Sequence, residues 1–158
     1  AWDSEHMVRQ IKAIVHHASL QTPGLHYAIS TSRRTPSETV EALQQLENAD
    51  YLGPDVTGPQ WLPEILGRAA NVWVSADSVS MMYEALSSGA RLGVLDTPAK
   101  RDDRITKVAL DLVQRGLATS FEQWQTTGHL QHSPTLQEAE RIAKLVIERF
   151  ALTDEANA

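Results

Sequence analysis

The chain has 158 residues, of which 42% are hydrophobic and 22% charged, and its formal net charge is −6. This length suits one domain with a core of its own, and the acidic balance argues against a nucleic-acid partner bound through a general basic surface. The sequence holds no cysteine, which excludes disulfides and thiolate chemistry, and no apolar run long enough to cross a bilayer. We therefore expect a cytoplasmic protein whose partners are small molecules or proteins.

Helix-like and strand-like segments alternate along the whole chain. Some segments repeat apolar residues at the i, i+3, i+4 spacing of amphipathic helices, and others are short unbroken apolar runs typical of buried parallel strands. In chain order the sequence predicts a helix over 4–19, a strand over 25–30, a helix from 36, a strand over 49–53, a helix near 61–70, a strand over 71–75, a helix over 78–88, a strand over 91–96, a helix ending at Gly116, a strand and turn over 117–124, and a helix over 135–150.

This alternation predicts the fold class and the domain organisation. Strands separated by helices are the signature of an α/β fold, here a Rossmann-like parallel sheet with helices on both faces. The sequence shows no internal repeat and no linker-like stretch. We therefore expect a single domain over residues 1–152, followed by a disordered tail over 153–158.

A first polar junction, STSRRTP, follows the first predicted strand. It contains the adjacent Arg33 and Arg34 and then Thr35 and Pro36; with Glu38, two residues further on, these give the pattern of an N-cap, a first helical residue and a capping box. Ligands of open α/β sheets bind at the carboxyl ends of strands, and guanidinium groups match phosphate oxygens well. A solvated turn followed by a simple cap explains the same residues equally well.

A second polar junction separates the predicted strand over 71–75 from the next helix. With Asp77 as the N-cap, Ser80 and Glu84 share one helix face, about 6 Å apart at about 1.5 Å of rise per residue. A phosphate at the helix start would place a ribose one turn along, where the Glu84 carboxylate could accept hydrogen bonds from its hydroxyls. A capped amphipathic helix with a solvated polar stripe is the simpler interpretation, and periodicity alone favours it.

Other candidate sites are weaker. His129 and His132 have a spacing that suits a metal, but no acidic companion stands nearby in the sequence, so a surface loop is expected and no metal site is predicted. Trp61, Trp73 and Trp124 are expected in a core or a domain contact rather than in a stacking platform. The sequence lacks the Walker, G-x-G-x-x-G, G-x-S-x-G and H-E-x-x-H motifs, and no cofactor is predicted.

Three segments together resemble the C-terminal part of the mitochondrial-fission Elm family. They are TSRRTP, VWVSADSVSMMYEALSSGARLGVLDTP and RDDRITKVALDLVQRGLATSFEQW, and the resemblance covers most of residues 25–126. The bacterial members of this family are usually described as glycosyltransferases. The family is in turn similar to the GT-B glycosyltransferases, which have two Rossmann-like domains and hold a nucleotide sugar mainly on the C-terminal one.

The resemblance implies a domain that binds a nucleotide-diphosphate sugar. It implies that Ser78, Val79 and Ser80 contact the diphosphate, that Glu84 binds the nucleotide ribose, and that the S-R-R-T segment faces the same phosphates. With the two polar residues that precede the helix, the candidate binding residues are Ser32, Arg33, Arg34, Thr35, Ser75, Asp77, Ser78, Val79, Ser80 and Glu84. The resemblance identifies no catalytic residue in this chain.

The length implies a further expectation about activity. A GT-B enzyme needs two domains, so we expect an N-terminal partner domain outside this chain and negligible activity from the chain alone. The plant relative implies an alternative, a non-catalytic protein-interaction module with a protein or peripheral membrane partner. A large exposed apolar patch near Trp61 or Trp124 would favour that module. A nucleotide-sugar epimerase of the two-Rossmann-domain type is a third alternative.

Overall fold

The computed structural model describes residues 2–98 and 104–131 and four further helical residues, Arg141, Lys144, Leu145 and Glu148. Helices and strands alternate along the two continuous ranges. In chain order they are α1 Ser4–Gln21, β1 Tyr27–Ser30, α2 Ser37–Gln44, β2 Ala49–Leu52, α3 Trp61–Arg68, β3 Asn71–Ser75, α4 Val79–Ser87, β4 Arg91–Leu95, α5 Arg104–Gln114, β5 Ala118–Ser120 and α6 Phe121–Thr127. The predicted α/β fold is confirmed.

The segment after α5 differs from its prediction. The segment 117–124, predicted as a strand and turn, holds the short strand β5 and then the start of helix α6. A capping box begins this helix: Gln123 N donates to Ser120 Oγ and Ser120 N donates to Gln123 Oε1, each at 3.1 Å. The predicted helix over 135–150 lies outside the described residues apart from four positions, and the predicted tail over 153–158 lies outside them entirely.

All observed strand pairs are parallel, and the strands form two small sheets. β1 pairs with β2, and β3, β4 and β5 pair in that order. The chain divides into two compact units, Trp2–Pro63 and the part from Glu64 onward. Because parallel neighbours need a crossover connection, each pair of adjacent strands is joined through a helix, which is the repeating βαβ element of Rossmann-like folds.

In the unit from Glu64 onward, one face of the sheet is covered by α4 and α5. Met82 and Leu86 of α4 are 0% and 1% exposed, so the predicted apolar stripe of this helix is buried. Alternate strand residues meet them because side chains of a strand point to opposite faces in turn. The buried members of this core are Val74, Ala76, Met82, Ala85, Leu86, Leu92, Val94, Val108, Ala109, Leu112, Leu117 and Ala118.

The opposite face of the same sheet carries an aromatic cluster. Trp73 of β3 pairs in register with Gly93 of β4, and a Cβ atom built on Gly93 would lie 2.5 Å from the Trp73 ring. The indole therefore occupies the space above the glycine. The ring centroids of Phe121 and Trp124 in α6 lie 6.3 and 5.6 Å from that of Trp73. Trp124 is 8% exposed, so α6 covers this face with a second, aromatic core layer.

The unit Trp2–Pro63 combines helix–helix packing with its two strands. α1 packs against α2, and α2 packs against β2. A hydrogen-bonded series joins α2 to the start of α1: Trp2 Nε1 donates to Thr39 Oγ1 at 3.0 Å, and the Thr39 hydroxyl donates to Ser4 Oγ at 2.6 Å. Ser4 Oγ donates in turn to Glu38 Oε1 at 2.8 Å. These bonds fix the start of α2 against α1.

Candidate functional site

The first candidate segment is the turn that joins β3 to α4. At the carboxyl end of β3, Ala76 N donates to Leu95 O at 2.9 Å, and Ser78 N donates to Ser75 O at 3.0 Å, which closes the turn. Ser75 and Ser78 are half-buried, whereas Asp77 is exposed. The chain therefore leaves the sheet at the edge where open α/β sheets bind their ligands.

The structure corrects the predicted N-cap of α4. Ser78 and not Asp77 occupies the cap position, and the Ser78 side chain makes no capping hydrogen bond. The first helical bond runs from Met82 N to Ser78 O at 3.1 Å. The reason is the preceding turn, because the bond between Ser78 and Ser75 retains Asp77 inside the turn. The Asp77 carboxylate is left exposed, one residue before the helix cap.

Three backbone donors at the start of α4 lack a partner in the part of the chain that the structure describes. The amides of Val79, Ser80 and Met81 precede the first helical bond, and they have no hydrogen-bond partner among the residues that the structure describes. Val79 and Met81 are half-buried, and Ser80 is exposed. Unpaired amides at the positive end of a helix dipole favour a bound anion.

Ser80 and Glu84 both lie on the exposed face of α4. They are separated by one turn, about 6 Å along the helix axis. Met82, Ala85 and Leu86 lie on the buried face of the same helix. A ligand group held at the helix start would therefore have a carboxylate within reach one turn further along, on the same side.

The second candidate segment, Ser32–Thr35, follows β1 in the unit Trp2–Pro63. It forms a hydrogen-bonded turn in which Ser32 N donates to Thr35 Oγ1 at 3.2 Å, Arg34 N donates to Ser32 Oγ at 3.2 Å, and Thr35 N donates to Ser32 O at 3.1 Å. Arg33 and Arg34 are exposed, and Arg33 Nη2 lies 3.7 Å from Asp55 Oδ1. The turn thus presents two guanidinium groups, one of them beside a carboxylate.

The structure also corrects the predicted start of α2. The cap position is Pro36, the helix begins at Ser37, and no side-chain hydrogen bond caps it. The Thr35 hydroxyl accepts from Ser32 N inside the turn, and the Glu38 carboxylate accepts from Ser4 of α1. The predicted capping box therefore does not form, since both of its side chains have other partners.

Two residues that the sequence did not single out lie next to the second segment. Thr31, which follows β1, and Tyr51 of β2 place their hydroxyl oxygens 2.7 Å apart. The contact joins the carboxyl ends of two strands that are paired in register. Nothing in the sequence pattern signals it, because local periodicity does not say which strand lies beside which.

The described residues offer neither a metal site nor a membrane-spanning helix. Within residues 2–98 and 104–131, no three His, Asp or Glu side chains lie close enough together to hold a metal ion. Of the predicted histidine pair, His129 lies in this part of the chain and His132 lies outside it. None of the described helices is long and apolar enough to cross a membrane.

Comparisons with known proteins identify a family. Searches of curated proteins and of solved structures gave no match. A family profile described as "Mitochondrial fission ELM1" matches residues 1–150, nearly the whole chain. The family predicted from the S-R-R-T-P and D-S-V-S-M segments is therefore confirmed, and the chain belongs to the mitochondrial fission ELM1 family.

Proposed function

We propose that this chain is a nucleotide-diphosphate-sugar-binding domain of a GT-B-like glycosyltransferase. The observation that carries the proposal is the start of α4, where the amides of Val79, Ser80 and Met81 lack partners among the described residues. In the proposal these amides, with the Ser78 and Ser80 hydroxyls, hold the diphosphate. Family membership supports the proposal, because the family resemblance implies the same positions.

Glu84 supplies the second contact of the proposed site. Its carboxylate is exposed and lies one turn beyond the helix start, on the same face as Ser80. A carboxylate accepts hydrogen bonds from two neighbouring hydroxyls, which is the chemistry of a ribose. The pairing of anion-binding amides with a carboxylate about 6 Å further along distinguishes a nucleotide from a simple phosphate.

Asp77 opposes the anion and tunes its affinity. Two like charges 4 Å apart repel by about 1 kcal/mol in water, so the exposed Asp77 carboxylate offsets part of the attraction by the amides. Ser75, on the other side of the turn, adds a hydroxyl. We expect moderate affinity for a free nucleotide, with no metal ion required.

The Ser32–Thr35 turn is a second proposed anion-binding segment. Arg33 and Arg34 stand exposed on a turn whose backbone is fixed by the Ser32 and Thr35 side chains. Guanidinium groups are suited to stabilising a diphosphate leaving group. The proposal assigns donor binding to this chain, and an N-terminal partner domain would supply the acceptor site.

Calorimetric titration of the chain with a panel of nucleoside diphosphate sugars tests the proposal. We expect Glu84→Ala to weaken binding about tenfold, since it removes a charged hydrogen-bond partner of the ribose. Glu122→Ala is the matched control: Glu122 is an exposed glutamate of α6, on the opposite face of the sheet from α4. Absence of binding to every sugar nucleotide, or an equal loss in both variants, would contradict the proposal.

A second candidate, a non-catalytic protein-interaction module, is favoured by one observation. The exposed Asp77 carboxylate stands beside the proposed anion site and repels phosphate. The apolar patch that would support this candidate does not involve Trp124, which is buried, and Trp61 is half-buried. Failure of both the unaltered chain and Asp77→Asn to bind nucleotides would favour the interaction module.

A further inference from the structure

The hydroxyl groups of Thr31 and Tyr51 form a contact at the ends of β1 and β2. Tyr51 lies on β2, in register with Ile29 of β1, and its hydroxyl reaches past the end of β1 to Thr31 Oγ1 at 2.7 Å. The pair is partly buried. A hydrogen bond of this kind contributes about 1 kcal/mol, so it can hold a chain segment in place.

The segment that it holds is the arginine turn. Thr31 directly precedes Ser32, whose amide, carbonyl and hydroxyl make the three hydrogen bonds of the turn. Among the described residues, the turn is also tied to its unit by the ion pair between Arg33 and Asp55, whose side chains are 81% and 89% exposed. Exposed ion pairs contribute little, so the hydroxyl contact is the stronger anchor.

The ring of Tyr51 is itself held in place by its strand. A Cβ atom built on Gly53 would lie 3.4 Å from Tyr51 Cε1 and 3.5 Å from its hydroxyl oxygen. The glycine leaves the ring room to lie along the end of β2, in the direction of Thr31. The position of the hydroxyl is therefore set by backbone geometry and by the Thr31 contact together.

We propose that Tyr51, acting through Thr31, is a positioning residue for Arg33 and Arg34. It fixes the base of the turn, so that both guanidinium groups are presented to a diphosphate with little loss of conformational freedom on binding. The proposal rests on the proposed function for the role of the arginines. It adds a residue that touches no ligand and changes affinity by ordering those that do.

The first test needs no ligand. NMR relaxation measures the order parameters of the backbone amides of Ser32–Thr35 in the unaltered chain and in Tyr51→Phe, which removes only the hydroxyl group. We expect the order parameters to fall from the range of a rigid backbone, about 0.85, toward about 0.6. The control Tyr27→Phe makes the same change at the other end of β1 and should leave them unchanged.

The second test measures binding of inorganic pyrophosphate by calorimetry. We expect Tyr51→Phe and Thr31→Val each to weaken binding about three- to tenfold, and the double variant to weaken it no further than either alone. In a chain that already carries Arg33→Ala and Arg34→Ala, Tyr51→Phe should have no further effect. A purely structural role of Tyr51 would not produce this dependence on the arginines.

Three results would overturn the inference: unchanged order parameters in Tyr51→Phe, an equal loss of affinity in Tyr27→Phe, or no pyrophosphate binding by the unaltered chain. Failure of the proposed function is recognised separately. In that case no nucleoside diphosphate sugar binds and Glu84→Ala has no effect. The order parameters of the arginine turn do not enter this test.

Discussion

The Ser32–Thr35 turn and the start of α4 use their backbone donors differently. After β1, the amides of Ser32, Arg34 and Thr35 all donate within the turn, and Pro36 has no amide to offer. After β3, the amides of Ala76 and Ser78 donate to Leu95 O and Ser75 O, and the next three amides, of Val79, Ser80 and Met81, are unpaired among the described residues. The Ser32–Thr35 turn therefore offers an anion chiefly the charge of its arginine side chains, and the start of α4 offers chiefly backbone amides and hydroxyls.

The two sheets also differ in how completely their strands are buried. β4 is buried from Leu92 to Leu95, covered by α4 and α5 on one face and by the aromatic layer on the other. β1 alternates half-buried and exposed residues along its whole length. The junction after β3 lies beside this buried strand and is bonded to it through Ala76 N and Leu95 O, whereas the half-covered β1 relies on local ties such as the contact of Thr31 with Tyr51.

The largest expected effect tests the packing of the β3–β5 sheet. Gly93→Ala should lower the free energy of unfolding by about 2 kcal/mol, because the new Cβ would overlap the Trp73 ring. Gly67→Ala is the matched control: its Cβ meets nothing within 4 Å, and we expect a gain of about 0.5–1 kcal/mol in a helix. Urea unfolding followed by circular dichroism measures both. Equal effects in the two variants would contradict the packing of the Trp73 ring against Gly93.

A smaller effect distinguishes a capped helix start from an uncapped one. Ser120→Ala should lower the free energy of unfolding by about 1 kcal/mol, since it removes the cap of α6. Ser78→Ala should change it by less than about 0.5 kcal/mol, since the Ser78 side chain makes no capping bond. The same unfolding measurement applies. A loss at Ser78 as large as that at Ser120 would mean that the start of α4 is capped in solution.

The smallest effect tests the negative charge of Asp77 at the junction between β3 and α4. Asp77→Asn should tighten nucleoside diphosphate binding about two- to fivefold, because it removes a like charge from the proposed site. The gain should shrink at high salt, which screens exposed charges. Asp50→Asn, an exposed aspartate on β2, changes the net charge equally and should have no effect. Calorimetry at two salt concentrations measures the affinity of both variants. An equal gain in both would contradict a binding site next to Asp77.

Much of the fold follows from local patterns. The unbroken apolar runs of β3 and β4 give strands whose observed bounds match the prediction to within one residue, and the stripe of Met82 and Leu86 is buried as predicted. Both helix caps were predicted wrongly for one reason. Asp77 and Thr35 are good capping residues by type, but in each case the preceding turn holds them outside the cap position.

Long-range contacts account for the rest of what the sequence could not show. Glu38 bonds to Ser4, 34 positions away in the chain, and Thr31 bonds to Tyr51, 20 positions away. Periodicity identifies elements but not their neighbours, so it predicted a parallel sheet without showing that the strands form two. The candidate residues at the start of α4 could be named from the sequence, while their unpaired amides could not.

The Trp73 ring of β3 fills the space that a side chain at position 93 of β4 would need. The size of the side chain at position 73 sets the largest side chain that position 93 accepts, so neither position can change freely while the other stays fixed. A smaller residue in place of the tryptophan would leave a gap beneath Phe121 and Trp124 that a larger residue at 93 could fill. In related chains the two positions should therefore vary as a pair, large with small.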